Sequence, residues 1–171
     1  MAEKVYSIEI EAPIQRVWDE ITAHGVVSKP MFGCVLDGEM REGHTYRYTN
    51  KDDSRTMTMG EVLEVSPPTK LVHTFLFTRF DDEPSLVTWD LAEDKGVTTV
   101  TVTHSRLSDG TKTIKSIDGG WPTILGLFKM VVETGDVGLK TKLTQGLMGA
   151  MGFMLPKSTK TENAKQRKVS I

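Results

Sequence analysis

The chain is poor in the residues that usually announce a chemistry. It has one cysteine, Cys34, in 171 residues. That excludes an intramolecular disulfide and a metal site built from paired thiolates. No basic neighbour in sequence activates Cys34, which reads as a small buried hydrophobe. Charge of either sign is not in excess: 21 Lys and Arg face 23 Asp and Glu, a net charge of -2. The body therefore offers no strong field to nucleic acid, and no nucleic-acid partner is expected. No apolar run reaches the roughly 18 residues of a membrane span, and the N-terminus lacks a signal segment. A cytoplasmic protein without a transmembrane segment is the expectation. The four histidines (His24, His44, His73, His104) show no HExxH or HxH spacing. No G-x-S-x-G elbow, P-loop or dinucleotide glycine motif is present, so neither cofactor nor metal is expected. The acidic run Asp81, Asp82, Glu83 reads as a solvated loop, with nothing to hold two carboxylates across a cleft.

What the chain does have is alternation. Residues 5–11 place Tyr6, Ile8 and Ile10 on one face and Ser7, Glu9 and Glu11 on the other. That is a strand with one dry side. Pro13 then opens a short helix with Ile14, Val17, Trp18 and Ile21 on its apolar stripe, and Gly25 offers a stop. Further strands are predicted over residues 35–40, 44–49, 55–65, 70–77, 86–91 and 97–104. Turns are expected at 50–53, 66–69, 80–84 and 94–96, and a polar loop at 105–113. Residues 120–135 read as one long amphipathic helix. Short turns and the lack of crossover helices call for antiparallel pairing. The reading that uses every element is α+β: a curved antiparallel sheet of about six to seven strands wrapped around a long C-terminal helix.

Beyond Gly135 the character changes. Residues 136–156 form an apolar extension rich in Gly and Met, a candidate homodimer or protein contact through residues 146–155. Residues 157–171 read as a basic, mobile tail.

Four stretches also carry a likeness: residues 5–13 with Val17-Trp18 after them; 60–68; 71–75; and 101–104 followed by Gly119-Gly120-Trp121-Pro122 and Glu133-Thr134-Gly135. In order and spacing they resemble the SRPBCC (START/Bet v 1-like) superfamily, within its Hsp90-ATPase-activator-homologue group. The resemblance covers residues 3–135. It implies a helix-grip fold with a ligand cavity between the concave sheet and the long helix. It implies no single chemistry, since members include binders of lipids and apolar metabolites, cyclases and proteins linked to the Hsp90 chaperone.

Candidate site residues follow from strand and helix faces. His73 shares a face with Leu71 and Phe75, and His104 with Val100 and Val102. Trp89 lies between Val87 and Leu91. Trp121 heads a helical stripe with Leu125, Phe128 and Val132. Tyr46 and Tyr48 share one face and could offer hydroxyls. Core packing and a cavity wall present the same pattern at Trp89 and Trp121. The set Tyr46, Tyr48, His73, Phe75, Trp89, His104, Trp121, Leu125 and Phe128 is expected to bind a small apolar or amphipathic molecule, in a preformed pocket whose wall includes Trp89, His104, Trp121 and Leu125. Two alternatives stand beside binding: a protein-interaction module with a chaperone link, and a cyclase- or hydrolase-type enzyme using His73 or His104 as acid or base.

Overall fold

Period-two alternation builds one antiparallel sheet in the computed structural model, which describes residues 1–139, 141–144 and 155–171. Its strands are β1 (Ala2–Ile10), β2 (Val27–Ser28), β3 (Cys34–Asp37), β4 (Thr45–Thr49), β5 (Thr56–Ser66), β6 (Lys70–Phe77), β7 (Ser85–Asp94) and β8 (Val97–Leu107). Their order across the sheet is β1-β8-β7-β6-β5-β4-β3-β2. Every neighbour after β2 is a sequence neighbour except at β1, which closes onto β8 with Tyr6 opposite Val102 and Ile8 opposite Val100. The fold is the helix grip, with eight strands rather than six or seven. The addition is β2, a two-residue edge strand whose few pairings leave almost no pattern in sequence.

Helix α1 (Ile14–Thr22) buries Val17, Trp18 and Ile21. Helix α2 (Lys112–Thr134) is 23 residues long and begins eight residues before the predicted start. Gly119, Gly120 and Pro122 imitate a helix beginning, yet they lie inside the helix. The true start is held from a distance. The Asp82 carboxylate accepts from both the Thr113 N–H (2.8 Å) and the Thr113 hydroxyl (2.7 Å). An acidic acceptor here also suits the positive end of the helix dipole. Thr111 is the N-cap, its hydroxyl accepting from the Ile114 N–H, and Asp82 is a second acceptor at the helix start rather than a solvated loop residue. The other end closes on Gly135, whose φ of 81° permits the left-handed cap and whose N–H reaches Val131 O at 2.7 Å.

Helix α2 lies in the palm of the sheet. Ile117, Trp121, Leu125, Phe128 and Val132 join Trp18, Tyr46, Val62, Leu71, Phe75, Val87, Trp89 and Val102 in one core. Its C-terminal turn is latched to β1: Lys129 donates to Glu9 O (2.7 Å), and Glu133 accepts from the Glu11 N–H (2.7 Å).

The tail is not the mobile segment its composition suggests. A 3-10 turn (Lys157–Thr159) and a short helix α3 (Thr161–Ala164) pack on the convex face of the sheet. There Ala164 and Val169 cover Met59 and Leu76. β6 is consequently buried on both faces. Arg167 closes the tail by donating to the carbonyls of Phe77, Thr78, Phe80 and Asp82, the loop that also supplies the second acceptor at the start of α2. The lysines hide this docking in sequence, because only Ala164 and Val169 give the tail a dry side. Losing the guanidinium should cost about 1–2 kcal/mol. Arg167→Ala is expected to lower Tm by about 2–8 °C; an unchanged melting curve would show that the clamp is idle.

The apolar stretch at 146–155, read as a dimer or partner contact, lies outside the described residues apart from Leu155. Among the described residues, no helix is long and apolar enough to cross a membrane.

Candidate functional site

The two strand histidines and the two inner tryptophans form a pair of parallel hydrogen-bond chains. In the first, the Trp89 indole donates to His73 Nε2 at 3.1 Å. An indole N–H can only donate, so Nε2 must accept and the ring proton sits on Nδ1. Nδ1 lies 2.8 Å from the Tyr46 hydroxyl and 2.9 Å from Thr74 O, and the Tyr46 hydroxyl donates to Thr74 O at 2.9 Å. In the second, the Trp121 indole donates to His104 Nδ1 at 3.0 Å, which puts the proton on Nε2. Nε2–H then donates to Ser85 Oγ at 2.6 Å, and Ser85 donates to Phe75 O at 3.1 Å. Both chains run from an indole, through a histidine and a hydroxyl, to a β6 carbonyl. The two histidines hold opposite tautomers.

Strand register explains the first chain. Trp89 pairs with Leu71, one diagonal step from His73. The indoles themselves meet edge to face at 5.3 Å, so the two chains touch across the palm.

Burial holds both rings neutral. Desolvation pulls His73 down to about 4 against a partly offsetting backbone bond to Thr74. Desolvation, with a smaller contribution from His73, pulls His104 down to about 3. Protonating either ring would also set an N–H against an indole N–H. Neither histidine keeps a free lone pair for a substrate. Ser85 accepts from His104 instead of giving its proton to it, so the pair is no nucleophile and base. The acid–base role considered for His73 and His104 therefore has no support in this geometry.

Where the sheet and α2 fail to close completely, a cleft remains. Its walls are Tyr46, Tyr48, Leu71, His73, Phe75, Trp89 and Trp121, with Ile21, Met31 and Met40 at one side. Six of the nine residues chosen from sequence meet there: Tyr46, Tyr48, His73, Phe75, Trp89 and Trp121. His104, Leu125 and Phe128 do not line it; they are 0–2% exposed within the core around α2. The volume is about 20 Å³. One water needs about 10–15 Å³, and a ligand pocket measures about 300–1,000 Å³. The expected preformed pocket is corrected accordingly: large aromatic rings from both layers fill the palm and leave room for about one water.

Sequence reasoning did not find Ile21, Met31 or Met40 as cleft residues. Ile21 was legible only as core, and the two methionines stand on connections between edge strands, which carry no periodicity. Arg79, outside the cleft lining, lies over the Phe77 and Phe80 rings (5.1 and 4.5 Å) and donates to Ser116. Cys34 is half-buried, its thiol pushed up to about 11 by desolvation, which keeps it protonated and inert. No group of three or more His, Cys, Asp or Glu suited to a metal occurs among the described residues.

Comparison with known proteins gives a family and a fold. A family model described as "Activator of Hsp90 ATPase homolog 1-like protein" matches residues 11–133. No curated protein matches the chain. Among solved structures, an Hsp90 activator from Plasmodium falciparum aligns with a TM-score of 0.64 at 16% identity, over 78% of this chain and 96% of that one. The Aha1 dimer from Colwellia psychrerythraea aligns with a TM-score of 0.66 at 17% identity, over 80% of this chain and 99% of that one. DynU16, from the dynemicin biosynthetic locus, aligns with a TM-score of 0.66 at 22% identity and covers 78% of this chain. This chain spans about half the length of DynU16, 48%. At these identities the likeness is one of fold.

Proposed function

We propose, from the premise that this chain belongs to the family of Activator of Hsp90 ATPase homolog 1-like proteins, that it binds a small apolar or amphipathic molecule in the cleft between α2 and the sheet. The supporting observation is the meeting of six sequence-chosen side chains around a small cleft of about 20 Å³ walled by both layers. The closed cleft is too small for a ligand, so binding requires opening. The weak side is the one carrying Met31 and Met40. Both stand on connections of the β2–β3–β4 edge, where β2 contributes two residues and β3 four. Local opening is least costly where few pairings and few buried contacts must break. Methionine is also the side chain best able to repack around a guest.

Nile red, a neutral solvatochromic dye, tests this reading with the full chain. Its emission is expected to shift to the blue and saturate at one dye per protein. The double variant Met31→Ala, Met40→Ala should bind it about threefold or more tighter, since truncation removes the side chains that close the cleft. Emission unchanged in both proteins would overturn the proposal.

A further inference from the structure

The polar side chains in the wall of the cleft are Tyr46, Tyr48, His73, Trp89 and Trp121. Four of the five are already engaged inside the protein. The Trp89 indole donates to His73 Nε2, and the Trp121 indole donates to His104 Nδ1. The Tyr46 hydroxyl lies against His73 Nδ1 and gives its own proton to Thr74 O. An indole has one proton to give and a neutral imidazole one lone pair, so these three rings keep nothing for a guest. No Lys, Arg, Asp or Glu lines the cleft.

Tyr48 is the exception: among the described residues its hydroxyl has no bond. It pairs with Leu36 of β3, which puts Cys34 one diagonal step away on the same face, within reach of an aromatic ring. Desolvation, with smaller contributions from Cys34 and Glu20, raises the Tyr48 phenol and keeps it a neutral donor. Both neighbours belong to the side of the cleft that holds Ile21 and Met31. Glu20 precedes Ile21 in α1, and the Cys34 N–H donates to Met31 O at 3.1 Å. The one uncommitted polar group therefore stands on the side where the cleft opens.

We infer that the cleft takes neutral molecules whose buried end is bare hydrocarbon and whose hydroxyl or carbonyl group stays at Tyr48. This deepens the binding reading above and rests on it. A polar group carried past Tyr48 would lose its water and meet walls with no free partner, which weakens binding about tenfold or more. A charged end is excluded more strongly, since the lining holds no counter-ion. The indole–histidine bond is what makes the inner end dry, because it satisfies His73 from within the wall.

Three probes of matched shape test this by equilibrium dialysis against the full chain. 2-Ethylnaphthalene has no polar end, 6-ethyl-2-naphthol has one, and 6-(hydroxymethyl)-2-naphthol has one at each end. The wild type should hold the two-ended probe about tenfold more weakly than the one-ended probe. Trp89→Phe removes the indole proton and frees His73 Nε2 to accept, so that gap should narrow to about threefold or less. Tyr48→Phe should weaken the one-ended probe about fivefold relative to 2-ethylnaphthalene. The hydrocarbon, measured on every variant, is the reference for an intact cleft, and the wild-type gap and Tyr48→Phe still decide if Trp89→Phe does not fold. Equal affinity of the wild type for the one-ended and two-ended probes, or a gap that stays tenfold in a folded Trp89→Phe, would overturn the dry inner end and leave the binding reading standing. An unchanged ratio in Tyr48→Phe would overturn Tyr48 as the polar end. Binding of none of the probes by the wild type would overturn both the inference and the reading beneath it.

Discussion

Replacing Gly60 by alanine is expected to lower Tm by about 6–12 °C, equivalent to about 3 kcal/mol for a chain of this size. Gly60 lies in β5 opposite Tyr46 of β4, on the face that looks into the palm. A Cβ there would stand 2.0 Å from Thr74 O and 2.7 Å from Tyr46 Cε1. The two atoms belong to residues joined by a hydrogen bond, since the Tyr46 hydroxyl donates to Thr74 O at 2.9 Å. Neither can retreat: Tyr46 is 1% exposed and Thr74 O belongs to β6, which is buried on both faces. The added methyl must break the first of the two indole–histidine chains or push β5 from β6. Differential scanning calorimetry measures the loss, and tryptophan emission should report it as well, through Trp89. A variant that melts with the wild type would mean that the Tyr46 ring does not lie over Gly60.

Acid should destabilise the protein well before its carboxylates protonate. Above about pH 6.5, His73 and His104 are neutral in both folded and unfolded chains, and their contribution is fully present. Below it the unfolded chain takes up protons at both sites, while the folded chain resists until about 4 at His73 and about 3 at His104. Stability is therefore lost as pH falls from 6.5 toward those values, at up to about 1.4 kcal/mol per pH unit for each histidine. Urea denaturation at pH 5.5 and 4.5 should show the combined slope, about 2–3 kcal/mol per unit from this pair. His73→Gln and His104→Gln should each flatten the profile by about half of that. Other titrating groups are shared by all three proteins and cancel in the comparison. An identical profile in the wild type and both variants would mean that the histidines are not held neutral.

How much of this was legible in sequence depended on range. β1 and β8 were readable because a half-buried strand writes its two faces into every second residue. Gly135 was readable as a helix end because a left-handed cap leaves a local mark. The first two turns of α2 were not: their N-cap, Thr111, stands in a polar stretch that reads as loop, and their second anchor, Asp82, lies thirty-one positions before Thr113. The same distance hid the role of the histidines. Apolar neighbours at alternate positions placed His73 and His104 on the inner face, but nothing local shows that an indole consumes the lone pair that catalysis would need. Tyr46 and Tyr48 carry the same local signal and differ only in what the fold brings to their hydroxyls. Packing density was the least accessible quantity. Aromatic residues on facing elements signal that a gap exists, while whether the rings interlock depends on ångström shifts that a residue pattern does not encode.

Methionine-methyl NMR of the full chain during a Nile red titration reads the opening of the cleft directly. The Met31 and Met40 methyl signals should shift or broaden with dye saturation, while that of Met59, covered on the convex face by the tail, stays in place. Dye uptake that moves Met59 and leaves Met31 and Met40 unperturbed would contradict a ligand cleft between α2 and the sheet.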